Sequence, residues 1–232
     1  MSPLILSLAV LTTTLAADNS VRLNPPLQKY IATRSAEFDL IPADRKDQLN
    51  QLAHYVHSRL QSKQPARLTF ICTHNSRRSH LAQIWAQTAA AHFGLPNVET
   101  FSGGTEATAF NRRAIDALRR AGFDISSPEP GPKDNPHFQV RFAVNASPLE
   151  CFSKLYNEPP NPKTNFCAIL TCSQADKSCP LVEGASFRIA IPYDDPKTFD
   201  DTPDESRKYD DRCQQIAREM LYLFSQVQNR PG

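Results

Sequence analysis

One stretch constrains this chain more than any other: Leu68-Thr-Phe-Ile-Cys-Thr-His-Asn-Ser-Arg-Arg-Ser-His-Leu81. A short run of strand formers ends at Cys72, a polar segment follows, and from Arg78 onward Leu81, Ile84, Trp85, Ala89 and Phe93 recur at helical spacing. The segment therefore reads as strand, loop, helix. Successive N–H groups in a tight loop that feeds a helix N-terminus form a positively polarised cup suited to a tetrahedral oxyanion. A cysteine at the base of that cup is expected to have its thiolate stabilised by the same dipole and by nearby cations. Thr73, His74, Asn75, Ser76 and Arg77 would line the cup, and Arg78 stands where its planar fork can grip two oxygens. Asn75 suits a left-handed backbone position. On spacing alone the same residues also fit a buried strand-end cysteine beside a solvated arginine pair, because free cysteine commonly serves as a small core hydrophobe.

Composition narrows the setting. With 232 residues, 40% hydrophobic and 22% charged, the chain has the make-up of a globular protein with one domain plus extensions. A formal net charge of +2, with no basic run interleaved with aromatics, gives no reason to expect a nucleic-acid partner. Residues 1–17 carry an apolar run that grades into Leu15-Ala16-Ala17, too short to span a bilayer and suited to a signal peptide, although its first residues include no Lys or Arg. Export to a periplasm is expected if that segment is a signal, with no membrane attachment after its removal, and a cytoplasmic location otherwise. Cys72, Cys151, Cys167, Cys172, Cys179 and Cys213 form an even set without zinc spacing. His54 and His57, one turn apart, read as surface or partly packed residues; neither a metal nor another cofactor is expected.

Residues 18–66 read as an N-terminal helical extension. One helix runs from Pro26 to about Phe38, and a second starts at Ile41-Pro42-Ala43-Asp44 with Leu49, Leu52, Val56 and Leu60 in phase. Residues 67–230 read as the catalytic domain. After the first helix stops at Gly94 and Pro96, a second strand runs from Asn97 to Ser102 and is broken by Gly103-Gly104; an amphipathic helix from Asn111 to Ala121 closes at Gly122. Residues 127–165 look like an insertion, with proline-rich ends and a period-two strand, Phe138, Val140, Phe142 and Val144, at the edge of the sheet. Phe166–Thr171 and Ser186–Tyr193 are the remaining strands. Thr202-Pro203-Asp204-Glu205 reads as a capping box before a helix that puts Tyr209, Cys213, Ile216, Met220, Leu223, Phe224 and Val227 on one face. Strand alternating with helix implies a three-layer α/β fold, a four-stranded parallel sheet with helices on both faces.

Cys-x5-Arg-Ser after a strand resembles the low-molecular-weight protein tyrosine phosphatases and the arsenate reductases built on the same fold. The segments Ser102–Ile115 and Ala121–Ser126 are similar to the reductase branch, and the likeness runs over roughly Arg67–Gln228, with residues 127–165 poorly matched. The resemblance implies Cys72 as nucleophile, Arg78 as clamp and Ser79 as a hydrogen-bond partner of the thiolate. Asp195 precedes a proline at the end of the last strand, where ligands of open parallel sheets bind; it resembles the general acid of both branches, with Asp194 as its rival. Cys172 and Cys179 resemble a relay pair that discharges the first cysteine, coupled to thioredoxin or another thiol reductant; an accidental pair or a structural disulfide fits the same spacing. Two positions depart from the family: His74 replaces a usual glycine, and Arg77, in place of a cysteine or apolar residue, adds charge at the mouth. The expected function is thiolate chemistry on an oxyanion, arsenate reduction first. A phosphatase acting on phosphotyrosine or small phosphomonoesters comes next and would gain ground in an exported protein. A non-catalytic oxyanion-binding or redox-sensing protein is the third reading.

Overall fold

The computed structural model describes residues 21–127, 133–178 and 181–230, so the expected signal segment, residues 1–17, lies outside the described residues. Two helices come first. Helix α1 (Pro25–Ser35) begins on proline, whose missing N–H leaves nothing unpaired in a first turn, and α2 (Ala43–Gln61) follows a 3-10 turn at Phe38–Leu40. Then come β1 (Ala66–Cys72), α3 (Arg78–His92), β2 (Val98–Gly104), α4 (Arg112–Ala121), β3 (Asp124–Ser126), β4 (Phe138–Arg141), β5 (Leu149–Cys151), β6 (Phe166–Leu170), α5 (Ser173–Ser178), β7 (Ala185–Ala190) and α6 (Glu205–Gln228). Among the described residues no helix is long and apolar enough to cross a membrane.

The main sheet has the order β2-β1-β6-β7, and every neighbouring pair is parallel. This is the four-stranded parallel sheet that the alternation of strand and helix predicts. Its central strands β1 and β6 are almost continuously buried, as parallel strands covered on both faces must be. Leu68, Phe70, Cys167, Ile169 and Ile189 face a large core shared with the buried faces of α1 to α4 and α6. Ile71, Ala168 and Leu170 face a smaller core with Ala175 of α5 and Val182. Helices thus lie on both faces, with unequal weight.

Trp85 of α3 anchors the larger core. It is fully buried, stacks on Tyr30 at 5.4 Å, meets Phe123 edge-on at 5.0 Å, and donates its indole N–H to Cys213 Sγ at 3.3 Å. Tyr30 belongs to α1. Leu27 and Ile31 of α1, and Leu49, Leu52, Ala53 and Val56 of α2, are buried in that same core.

Two sequence expectations need correction here. The alternating segment does not extend the main sheet: β4 is the middle strand of a separate antiparallel sheet, β3-β4-β5. Short strands on both sides satisfy its backbone, so no edge is left to join the main sheet. The strand also ends at Arg141, earlier than its apolar alternation suggests, and Val144 is exposed. Second, Gly103-Gly104 do not break β2 but form its last two residues. A Cβ on Gly103 would lie 2.3 Å from the Tyr156 Cα, and one on Gly104 would lie 2.2 Å from the Glu106 carbonyl and 2.7 Å from Asn75 N and Thr73 O. The glycines are there because the chain passes too close for any side chain.

Beyond β5, residues Phe152 to Tyr156 return to that glycine end of the main sheet: Gly104 N donates to Lys154 O at 2.9 Å and Tyr156 N to Gly104 O at 3.0 Å. The predicted capping box is not formed either. The Thr202 hydroxyl donates to Phe199 O, α6 begins at Glu205, and Glu205 instead accepts from Asp201 N at 2.6 Å.

Candidate active site

β1 delivers Cys72 to the carboxyl edge of the sheet, where the thiol is nearly inaccessible. The loop from Thr73 to Arg77 then curls back on itself and hands over to α3. Its carbonyls are turned outward to named partners. Thr73 O accepts from Glu106 N at 2.8 Å, His74 O from Ser153 Oγ at 2.9 Å and Thr108 Oγ1 at 3.2 Å, and Ser76 O from Asn111 N at 2.9 Å. In a planar trans peptide each carbonyl opposes the N–H of the next residue. Outward carbonyls at 73, 74 and 76 therefore turn the N–H groups of His74, Asn75 and Arg77 the other way, into the concavity of the loop. That is how backbone amides build an anion-binding nest.

Asn75 is the keystone. Its φ of +42° is a left-handed value that asparagine tolerates better than most residues. Its side chain is fully buried and used at both ends: Nδ2 donates to Ser79 Oγ at 2.9 Å, and Oδ1 accepts from Lys154 N at 3.0 Å. Ser79 Oγ in turn lies 3.1 Å from Cys72 Sγ. With its oxygen accepting from Asn75, the serine hydroxyl is free to point its hydrogen at the sulfur, the orientation that stabilises a thiolate.

The other cysteines differ sharply in setting. Burial pushes the Cys151 and Cys213 thiols up to about 12 and raises that of Cys167 as well, which makes them inert core residues at neutral pH. Cys172, just after β6, is different in its neighbours: its sulfur lies 3.5 Å from Thr73 Oγ1, on the residue next to Cys72, and accepts from Ala175 N at 3.3 Å in the first turn of α5. Cys179 lies outside the described residues.

Arg78 and Asp195 meet. One guanidinium nitrogen donates to Asp195 Oδ2 at 2.7 Å, another to Tyr193 O at 3.1 Å, and the arginine side chain is mostly buried. Asp195 Oδ1 also accepts from Lys197 N at 3.1 Å at the head of a 3-10 turn, Pro196–Phe199. Its sequence rival, Asp194, has a fully exposed side chain and pairs with Arg212 at 3.4 Å.

His74 and Arg77 sit otherwise than their charges suggest. The His74 ring stands outside the loop with Nε2 3.3 Å from Glu106 Oε2. Arg77 does not add charge to the mouth: its guanidinium is turned into the protein, donating to Tyr209 OH at 2.8 Å and to Asp200 Oδ2 at 3.3 Å. Ser153, Lys154, Asn111 and Gly104, which hold the loop's back, were not identifiable as site residues from the sequence.

A family model described as low molecular weight phosphotyrosine protein phosphatase matches residues 67–139, from β1 through the anion loop to β4. Over that stretch the chain is similar to the low-molecular-weight phosphotyrosine protein phosphatases. Among curated relatives it is 28% identical over 127 residues to arsenate reductase 2 of Staphylococcus epidermidis, covering 55% of this chain and 76% of that protein. It is 27% identical over 159 residues to an arsenate reductase of Bacillus licheniformis, covering 68% of this chain and 94% of that one. Among solved structures, a low-molecular-weight phosphotyrosine phosphatase of Vibrio cholerae aligns with 71% of this chain and 97% of its own, at 14% identity and a TM-score of 0.46. The matched relatives are thus named as phosphatases and arsenate reductases, and the matched stretch contains Cys72 and Arg78.

Proposed function

We propose that this protein reduces arsenate to arsenite through a cysteine relay. Cys72 thiolate attacks arsenic, forming an S–As bond while one As–O bond breaks; Asp195 gives its proton to the departing oxygen, which leaves as water. Arg78 and the loop amides hold the remaining oxygens. Cys172 then attacks Cys72 sulfur: an S–S bond forms, the S–As bond breaks, and its electron pair stays on arsenic, which leaves as arsenite. Cys179 attacks Cys172, freeing Cys72, and an external dithiol of the thioredoxin kind reduces the new disulfide. No cofactor enters the sequence.

The observation that carries this reading is the position of Cys172 Sγ, 3.5 Å from Thr73 Oγ1, on the residue that follows the nucleophile. A phosphatase needs water, not a second thiol, at that point. The experiment assays reduced protein against arsenate with a thioredoxin system and against an aryl phosphate, each with Cys72→Ser and Cys179→Ser. Arsenite formation that Cys72→Ser abolishes and Cys179→Ser limits to about one equivalent per chain supports the relay. Aryl phosphate turnover that ignores Cys179→Ser, without arsenite, makes the protein a phosphatase; turnover of neither substrate leaves an oxyanion-binding or redox-sensing protein.

A further inference from the structure

Two consecutive arginines leave the anion loop in opposite directions, and each takes hold of one end of the same segment. Arg78 pairs with Asp195 at 2.7 Å, and Arg77 pairs with Asp200 at 3.3 Å. Between them lie only the 3-10 turn Pro196–Phe199. Arg77 Nε donates to Tyr209 OH at 2.8 Å, the same hydroxyl donates to Asp200 Oδ1 at 2.7 Å, and the second Arg77 nitrogen reaches Asp200 Oδ2, so arginine, phenol and carboxylate close a ring. Tyr209 is fully buried on α6, and the Arg77 and Asp200 side chains are 12% and 17% exposed. A charged ring so poorly solvated is not a surface ion pair that water exchanges at no cost.

The ring is also backed from α4. Arg113 lies 3.6 Å from Asp200 Oδ2, 2.6 Å from Asp201 Oδ1 and 2.6 Å from Glu205 Oε2. It steadies a turn in which Asp201 adopts a φ of +61°, a left-handed value that aspartate tolerates better than most residues. Arg77 is the N-cap of α3, with non-helical φ and ψ of −130° and −81°, and Arg78 is its first helical residue; that change of backbone lets one arginine face the substrate side and its neighbour the protein side.

We propose that Arg77 is a positioning residue: with Asp200 and Tyr209 it forms a latch that fixes the Asp195-bearing segment over the anion loop. The proposal rests on the reading of Asp195 as the proton donor to a leaving oxygen. Arg77 touches no reacting atom; it sets where Asp195 stands when Arg78 turns from that carboxylate to a bound oxyanion. Lysine replaces it only in part, because a single ammonium cannot serve Tyr209 and Asp200 from two fixed directions.

The test compares wild type, Arg77→Leu, Arg77→Lys, Tyr209→Phe and Asp195→Asn on two phosphate monoesters, one with an acidic phenol as leaving group and one with an alkanol. Only the second needs a proton from the enzyme. Arg77→Leu and Tyr209→Phe are expected to lower kcat/KM at least about tenfold on the alkyl ester and less than about threefold on the aryl ester, following Asp195→Asn in direction. Arg77→Lys is expected between them and wild type. Equal losses on both esters, or none on either, overturn the latch.

Amide exchange measured on the same proteins reads the latch without turnover. In Arg77→Leu the amides of residues 197–201 should exchange faster while those of β1 and the body of α3 keep their protection; unchanged exchange in 197–201 also overturns it. If wild-type protein turns over neither ester, as a strict arsenate reductase would, the exchange measurement decides the latch, while failure to reduce arsenate as well would sink the reading of Cys72 and Asp195.

Discussion

Replacing His80 by phenylalanine should remove a large part of this protein's sensitivity to acid. His80 follows Ser79 in the first turn of α3 and is fully buried. Its ring stacks on Phe110 at 4.1 Å, and Nε2 lies 3.2 Å from Phe152 O, a carbonyl that Lys154 Nζ also approaches at 3.2 Å. Burial, with the Lys154 charge nearby, lowers the imidazole to about 3 from its ordinary 6.5. A second proton would place an N–H on Nδ1, which among the described residues faces no acceptor.

The sign follows from linkage. Because the folded value lies below the unfolded one, the unfolded chain binds the extra proton first as pH drops. The stability is therefore complete above about pH 6.5 and is lost progressively towards about pH 3. Each unit of difference is worth about 1.4 kcal/mol, so lowering the pH from about 7.5 to about 4.5 should cost a few kcal/mol, on the order of 3, through this residue alone. Phenylalanine keeps the stack on Phe110, and Lys154 still serves the Phe152 carbonyl. Urea unfolding of wild type and His80→Phe at the two pH values isolates the effect, since carboxylates titrate in both. The wild-type stability, measured relative to the variant, should fall by roughly 3 kcal/mol between them. A difference that stays constant within about 0.5 kcal/mol would refute the buried neutral imidazole and the reasoning built on it.

Three further outcomes are expected. Ser79→Ala removes the hydroxyl 3.1 Å from Cys72 Sγ and leaves Asn75 Nδ2 without its acceptor; a charge-assisted hydrogen bond of roughly 1.5–3 kcal/mol predicts a fall of about tenfold or more in the rate at which iodoacetamide alkylates Cys72 at neutral pH. Gly104→Ala drives a methyl group to 2.2 Å from the Glu106 carbonyl and 2.7 Å from Asn75 N, so thermal unfolding should show a loss of roughly 1–3 kcal/mol together with weakened oxyanion binding. Asn75→Ala leaves Lys154 N without its acceptor and opens the tie to Ser79; a loss of roughly 1–3 kcal/mol is expected, and Asn75→Gly, which keeps the left-handed backbone but not the ties, should not restore it.

The parts of the fold legible in the sequence were those where period and punctuation agree over many residues. The switch from strand to helix across Cys72–Arg78, the helix between Asn111 and Gly122 with its asparagine cap and left-handed glycine, and the buried face of α6 were all readable, because each repeats a local rule several times. The small second sheet was not. β3 and β5 have three residues each, too few to show a period, and the β4 alternation runs on past the point where Arg141 ends the strand. The role of Arg77 was illegible for another reason: its partners Asp200 and Tyr209 lie 123 and 132 residues further along the chain. A charge that reads as surface in a linear sequence becomes interior once the fold supplies its counter-ion. The same applies to Ser153 and Lys154, which hold the back of the anion loop from 79 residues away.

The central claim is that Cys72 reacts with an oxyanion and that a second thiol discharges it. The most direct measurement mixes fully reduced protein with one equivalent of arsenate and no external reductant, then counts arsenite and free thiols and maps any new disulfide by mass spectrometry. The account predicts one arsenite per chain, two thiols lost, and a disulfide joining Cys172 to Cys179, with Cys72 free again; neither arsenite nor disulfide should form in Cys72→Ser. Arsenite absent and every thiol still reduced in the wild-type protein would contradict it.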